Sequence, residues 1–221
     1  MEKCIILMAD VVNSGKQNPL LLQSSLKNLV FEMNDIYSER ILSPLTITLG
    51  DEFQAVILDL KSCLSIVLYI EEYIKREKYT FTLRYVIHEG IIQTKINTKV
   101  AYEMLGEGLT NARNTLISLK KNKATRLKIE INDEKIGYVL GILLHQILHQ
   151  FDKWSVKDYS ILVQYYSILK TGQIVEDGIY VDKYKEIAKN MNKNPSLIWR
   201  RVRSLGLENI ENLKKAIYFL V

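Results

Sequence analysis

The apolar positions in the N-terminal part of the chain pass from an unbroken run to a helical stripe to strand alternation. Each change marks an element. Cys4 to Ala9 is almost continuously apolar over the length of one strand, the pattern of a central strand covered on both faces, and it ends abruptly at Asp10. Asn18 caps and Pro19 opens a helix whose stripe runs Leu22, Leu26, Leu29, Val30, Met33, Ile36, Tyr37. Leu45, Ile47 and Leu49 then alternate with Thr46 and Thr48, Phe53 to Leu58 returns, and Gly50-Asp51 supplies tight-turn chemistry between the two strands. Asp59 caps a second helix with Cys63, Val67, Ile70 and Ile74 on one face, and Phe81 to Ile87 reads as a further strand. The order β-α-β-β-α-β is ferredoxin-like and predicts an α+β fold. An irregular stretch from Ile91 to Gly108 follows. A helix with Leu109, Ala112, Leu116 and Leu119 inward and a strand from Arg126 to Ile131 then close a first domain over residues 1–132.

Residues 133–171 read as two connecting helices, the first strongly apolar from Ile136 to Trp154, the second carrying Tyr159, Leu162, Val163, Tyr166 and Leu169. So wide an apolar surface calls for packing between domains or for a homodimer face. Residues 172–221 carry a different pattern. Glu186 begins a short helix to Met191, residues 192–195 break it, and Ser196 caps a second helix through Leu205. Ile198 and Val202 fall ten and fourteen positions after Ala188, as a helix-turn-helix requires, and Asn192 tolerates the left-handed turn between the helices. With those two residues inward, Lys193, Ser196, Trp199, Arg200 and Arg203 are the candidate contacts to duplex DNA. Lys193 stands where such turns usually carry an apolar residue.

Charge sharpens that expectation. The chain carries +5 at neutral pH, and four of those charges lie in residues 151–221; between Ile187 and Leu207 there are five basic residues and no acid. The imbalance points to nucleic acid more than to a membrane surface. With 48% hydrophobic and 25% charged residues the composition is that of an ordinary globular protein. The apolar start is one strand long and no run approaches a membrane span, so a cytoplasmic protein is expected. Cys4 and Cys63 sit among apolar neighbours and read as buried free thiols. His145 and His149 have zinc-ligand spacing, but HQILH lacks the Glu of a metalloprotease and has no evident third ligand.

The candidate chemistry lies at the acids. Asp10 ends a buried strand, and Asp51 and Glu52 sit at the tip of the hairpin. If the hairpin lies beside the first strand, the three share one hard divalent ion, Mg²⁺ or Mn²⁺, in a geometry that serves phosphoryl transfer. Ser14 and Lys16 follow Asp10 in a loop. Gly106-Glu107-Gly108 precedes a helix whose free N–H groups make an anion site, with Arg113 in its second turn, so Ser14, Lys16, Gly106, Gly108 and Arg113 are the candidate phosphate ligands.

DVVN at residues 10–13 and TLGDEFQAV at 48–56 resemble the palm-type domain of nucleotidyl and diguanylate cyclases, in which an Asp-ended strand and a GD or GGDEF hairpin tip bind two metals and a nucleoside triphosphate. More closely, and nearly full length, the chain resembles the SatD family on Asp10, Ser14, Lys16, Leu49 to Gln54, Gly106, Ala112 and Arg113, with a C-terminal helix-turn-helix. The palm-type resemblance implies a metal- and nucleotide-binding domain, and the SatD resemblance by itself implies no activity. Class III adenylyl cyclases carry Asn four and Arg eight positions after the corresponding glycine, where this chain has Thr110 and Asn114, so efficient cyclase activity is not expected. Two functions follow: a DNA-binding regulator governed by its nucleotide domain, which the sequence favours, or a metal-dependent nucleotidyl-transfer or phosphohydrolytic enzyme using Asp10 and Asp51, localised by the C-terminal module.

Overall fold

The computed structural model describes residues 3–122, 125–170 and 180–221. Strand β1 (Lys3–Val11) is buried at every position after Lys3 and forms the middle of a five-stranded sheet of order β2-β3-β1-β4-β5. β3 (Glu52–Ile57) and β4 (Leu83–Ile91) flank it antiparallel; β2 (Ile41–Ile47) lies outside β3, and the short β5 (Leu127–Glu130) runs parallel to β4. The first four strands have the order expected of the split β-α-β pattern. The hairpin differs from its expected limits. β2 begins at Ile41 and includes Pro44, which the alternation did not suggest. An edge strand accommodates it at the register shifts that separate Ile41, Ser43 and Thr46.

The two faces of the sheet are covered unequally. Ile5, Leu7, Ala9 and Val11 face α1 (Pro19–Ile36) and α2 (Leu60–Arg76), both capped as expected: the Asn18 side chain accepts from the Leu20 and Leu21 N–H groups, and the Asp59 side chain from that of Ser62. Cys4, Ile6 and Met8 face the other way, against Ala112, Leu116 and Leu119 of α3 (Glu107–Lys121) and against Ile92, Ala101 and Met104 from the irregular stretch before it. Cys4 and Cys63 are both free and buried.

Helices α4 (Glu134–Asp152), α5 (Tyr159–Lys170), α6 (Tyr180–Asn190), α7 (Pro195–Ser204) and α8 (Leu207–Phe219) continue the hydrophobic cluster that begins under α1 and α2. The boundary expected at 171/172 lies outside the described residues, as does the side chain of Leu169. Asn192 takes the left-handed conformation between α6 and α7 (φ 51°), and Ile198 and Val202 are buried. The wide apolar surface of α4 is partly absorbed within the chain: Leu140, Leu144, Ile147, Leu148 and Phe151 are buried, while Tyr138, Val139 and Ile142 stay exposed. Polar bonds fasten the C-terminal helices to the rest. The Leu205 carbonyl accepts from Trp154 Nε1 at 3.0 Å and from Gln150 Nε2 at 2.8 Å, Lys214 pairs with Glu72 of α2, and Arg201 pairs with Asp158 at 2.6 Å.

Beneath α2, a buried ion pair joins three layers. Arg126, just before β5, donates to both carboxylate oxygens of Glu71 at 2.9 Å and reaches Asp152 of α4, while the Tyr85 hydroxyl of β4 donates to Glu71 at 2.7 Å. Burial alone would raise the Glu71 carboxyl, but the charge and hydrogen bonds of Arg126, with that of Tyr85, outweigh it and hold the group below the ordinary carboxylate range. A carboxyl depressed in the folded state contributes stability above its unfolded pKa, and that contribution is lost as pH falls through the folded value. Glu71→Gln is therefore expected to cost about 1.5–3 kcal/mol at neutral pH, by removing the more buried of the two carboxylates that hold Arg126, and to flatten the acid limb of the stability curve. Urea unfolding between pH 3 and 7 measures both; an unchanged acid limb would remove Glu71 as its source.

Candidate functional site

The alternation of β1 puts Asp10 on the face of Cys4, Ile6 and Met8, the face that α3 covers. Register aligns its neighbours. Asp10 lies opposite Glu52 on β3 and opposite Arg84 on β4, and Thr48 bonds through its N–H to the Glu52 carbonyl at 2.9 Å. Thr48, Glu52, Asp10 and Arg84 thus form one row across the sheet, where β1 ends.

Within that row Arg84 Nη1 donates to both oxygens of Asp10, at 2.9 and 2.7 Å. From above, α3 adds two cations two turns apart. Lys120 Nζ pairs with Glu52 Oε1 and lies 3.6 Å from Asp10 Oδ2, and Arg113 stands 3.5 Å from Glu52 Oε2 while donating to Gln54 Oε1 at 3.2 Å. The layers are distinct: the acid side chains of Asp10 and Glu52 are 4% and 10% exposed, those of Lys120 and Arg113 35% and 39%. Burial raises the Asp10 carboxyl above the ordinary range although Arg84 and Lys120 pull it down. Burial would lower the Lys120 ammonium, but its bond to Glu52 and the charge of Asp10 raise it, so the lysine stays charged. Thr48 Oγ1 is buried without a hydrogen-bond partner among the described residues.

Asp51 sits beside this row at the hairpin tip, after Gly50 in the left-handed region (φ 83°), and its carbonyl accepts from the Val11 N–H at 3.0 Å. Ser14 to Lys16 form a short turn directly after β1, at the same end of the sheet. Gly106 and Gly108 do not join them. They pack α3 against the far end of β4: a Cβ on Gly108 would lie 2.8 Å from the Gly90 backbone, and one on Gly106 2.5 Å from the Ile91 carbonyl oxygen. Gly90 and Arg84 are six positions apart on β4, roughly 20 Å at ~3.3 Å per residue. The last turn of α3, at Lys120, reaches Asp10; the first does not.

The expected Mg²⁺ or Mn²⁺ site is therefore not assembled. Among the described residues no group of three or more His, Cys, Asp or Glu side chains could hold a metal ion. The donors do not fit one: every carboxylate oxygen of Asp10 and Glu52 already faces a nitrogen of Arg84, Lys120 or Arg113. Sequence reasoning placed Asp10, Glu52 and Arg113 here but missed Arg84 and Lys120. Arg84 had a signal, a lone cation among buried strand residues. Lys120 had a weaker one, its spacing of seven from Arg113, which puts both on one helical stripe.

The sheet order and the helices on both its faces define a mixed α+β protein built on a five-stranded sheet. The chain belongs to the SatD family, whose model matches residues 4–218. Among solved structures it is similar to a bacterial light-regulated adenylyl cyclase, with 14% identity over 57% of this chain and 74% of that one and a TM-score of 0.37. It is also similar to the monomeric guanylyl cyclase domain of the RhoGC fusion protein from the aquatic fungus Blastocladiella emersonii, with 14% identity over 51% of this chain and 73% of that one and a TM-score of 0.37. A comparison with curated proteins gives no match.

These findings correct the reading as a DNA-binding regulator. The chain belongs to the SatD family, and nothing in the comparisons points to DNA. Of the residues expected to read DNA, Arg203 places its guanidinium 5.1 Å over the Trp199 ring. Lys193, Ser196 and Arg200 are exposed on a helix pair held at Leu205 by Gln150 of α4 and Trp154 and at Arg201 by Asp158. Among the described residues no helix is long and apolar enough to cross a membrane.

Because Asp10 and Arg84 face each other inside the sheet, Arg84→Met is expected to cost about 3–5 kcal/mol by leaving a buried carboxylate short of its main partner. The double variant Asp10→Leu, Arg84→Met should recover most of that loss. Chemical denaturation of all four proteins closes the cycle; additive losses would show that the pair is not coupled.

Proposed function

We propose that the chain is a nucleotidyl- or phosphoryl-transfer enzyme acting on a phosphate-bearing ligand of the nucleotide class at the Asp10 end of the sheet. The observation that carries this reading is the layering of charge: Arg113 and Lys120 lie outermost over buried acids, so an approaching ligand meets cations first. Such a surface suits phosphate oxygens, and guanidinium binds them in a planar, paired geometry. Ser14 and Lys16, at the same end, extend that surface.

Transfer at such a site is mostly positioning and charge stabilisation. An attacking oxygen bonds to phosphorus, the bond from phosphorus to the leaving oxygen breaks, and the attacker's proton needs an acceptor. Asp51 takes that role here. It is the acid of the group that makes no hydrogen bond or salt bridge to a described side chain, and it lies at the lip of the site beside Lys120. Arg113 and Lys120 offset the charge that develops on the transferred group. In this reading residues 1–132 are the transfer unit, and the helices of 133–171 and 172–221 support it.

The test is direct. The full chain is incubated with each nucleoside triphosphate, with and without Mg²⁺, and products are separated by chromatography while binding is followed by calorimetry. Arg113→Ala should weaken binding about 10- to 150-fold, the equivalent of losing a charged hydrogen bond worth ~1.5–3 kcal/mol. Asp51→Asn should keep binding and lose turnover. Absence of binding by every nucleotide and by inorganic pyrophosphate would overturn the reading.

A further inference from the structure

Two buried carboxylates side by side across a strand ladder repel, and a divalent ion bridging them is one answer to that repulsion. This chain has another. Lys120 Nζ touches Glu52 and lies 3.6 Å from Asp10, so one ammonium faces both carboxylates. Arg84 engages both oxygens of Asp10 from the side, and Arg113 faces the second oxygen of Glu52. Three fixed cations thus balance Asp10, Glu52 and the neighbouring Asp51. Among the described side chains of the row and its tip, Asp51 is the one carboxylate without a salt bridge, where a hard cation is usually held by one or two carboxylates that no fixed cation already engages.

We infer that Lys120, supported by Arg84, stands in the place of a divalent ion between Asp10 and Glu52, and that the site binds its phosphate ligand through the chain's own cations without a metal. The inference rests on the nucleotide-class reading for the identity of the ligand, but its central claim, that a lysine holds the metal's place, stands on the protein alone. An aliphatic ammonium held by an α-helix brings one charge where an ion brings two. The second comes from Arg84 on β4, so the substitution takes two elements of the fold and is complete only when α3 is docked.

The experiment has a protein arm and a ligand arm. In the first, Mn²⁺ binding to the full chain is followed by the loss of the free-ion electron paramagnetic resonance signal, for wild type, Lys120→Gln, Lys120→Arg and the double variant Lys120→Gln, Arg84→Gln. Lys120 is partly exposed on a helix surface, so the single variants keep the fold if the double does not. Wild type and Lys120→Arg should leave Mn²⁺ free at millimolar concentration. Lys120→Gln should bind it at least about tenfold more tightly, a gain worth ~1.4 kcal/mol, and adding Asp10→Asn should abolish the gain. Mn²⁺ binding by wild type that is lost in Asp10→Asn would overturn the inference, and so would no gain in Lys120→Gln. In the second arm, nucleoside triphosphate binding to wild type is measured in chelator and in Mg²⁺. Equal affinity supports the inference. Binding that requires Mg²⁺ overturns it while leaving the proposed function standing. No binding in either condition overturns the proposed function, and the Mn²⁺ arm still decides whether the lysine holds the ion's place.

Discussion

Asp10 lies one residue before the end of the central strand of the sheet, and the need to meet its charge inside the protein organises what surrounds it. An unpaired carboxylate there would cost several kcal/mol in desolvation, and Glu52 beside it on β3 makes the cost greater. Arg84 answers from the next strand and Lys120 from the helix above. At ~4 Å and an effective dielectric constant near 20, one such pair is worth roughly 4 kcal/mol. On the same scale, a divalent ion at that distance from the lysine would meet a repulsion of roughly 8 kcal/mol. The two cations therefore compete for one place. The lysine is attached to the chain, so folding delivers it.

That delivery depends on where α3 lies. At its start Gly106 and Gly108 allow the helix to pass against Gly90 and Ile91 at distances that no Cβ would permit. At its end Lys120 is held by Glu52. Apolar packing of Ala112, Leu116 and Leu119 on Ile6 and Met8 fills the space between. The glycines therefore serve the site at a distance of about six strand residues, by fixing the angle at which α3 brings Arg113 and Lys120 across the sheet. On the opposite face the same logic recurs with Glu71 and Arg126, where buried opposite charges join α2 to the strand end and to α4.

Local pattern made much of this legible. The buried run of β1, the caps at Asn18 and Asp59, and the hairpin with its glycine turn could be read from residues near one another in sequence, because each depends on period or on capping chemistry. What escaped depends on distant contacts. β2 starts before its alternation does, since an edge strand tolerates Pro44 and its bulges. The acids were identified, but their partners sit 74 and 110 positions further on than Asp10, and only the sheet register and the crossing of α3 bring them together. Spacing and charge in the last helices suggested a DNA reader. The same spacing serves to pack Ile198 and Val202 inward, and part of the cationic face is spent over Trp199 and on Asp158.

The layering also sets which of the two acids yields when an anion arrives. Asp10 keeps Arg84 whatever happens above it, because that pair lies within the sheet and engages both oxygens. Glu52 depends on Lys120 and Arg113, the two cations that a phosphate would draw away. Its neighbour across the β2–β3 ladder is Thr48, whose buried hydroxyl has no partner among the described residues. A hydroxyl that turns to donate to a carboxylate costs little and satisfies both groups. In the proposed reading, phosphate binding therefore releases Glu52 toward Thr48 while Asp10 stays locked, so the exchange is confined to one side of the row and the central strand need not move.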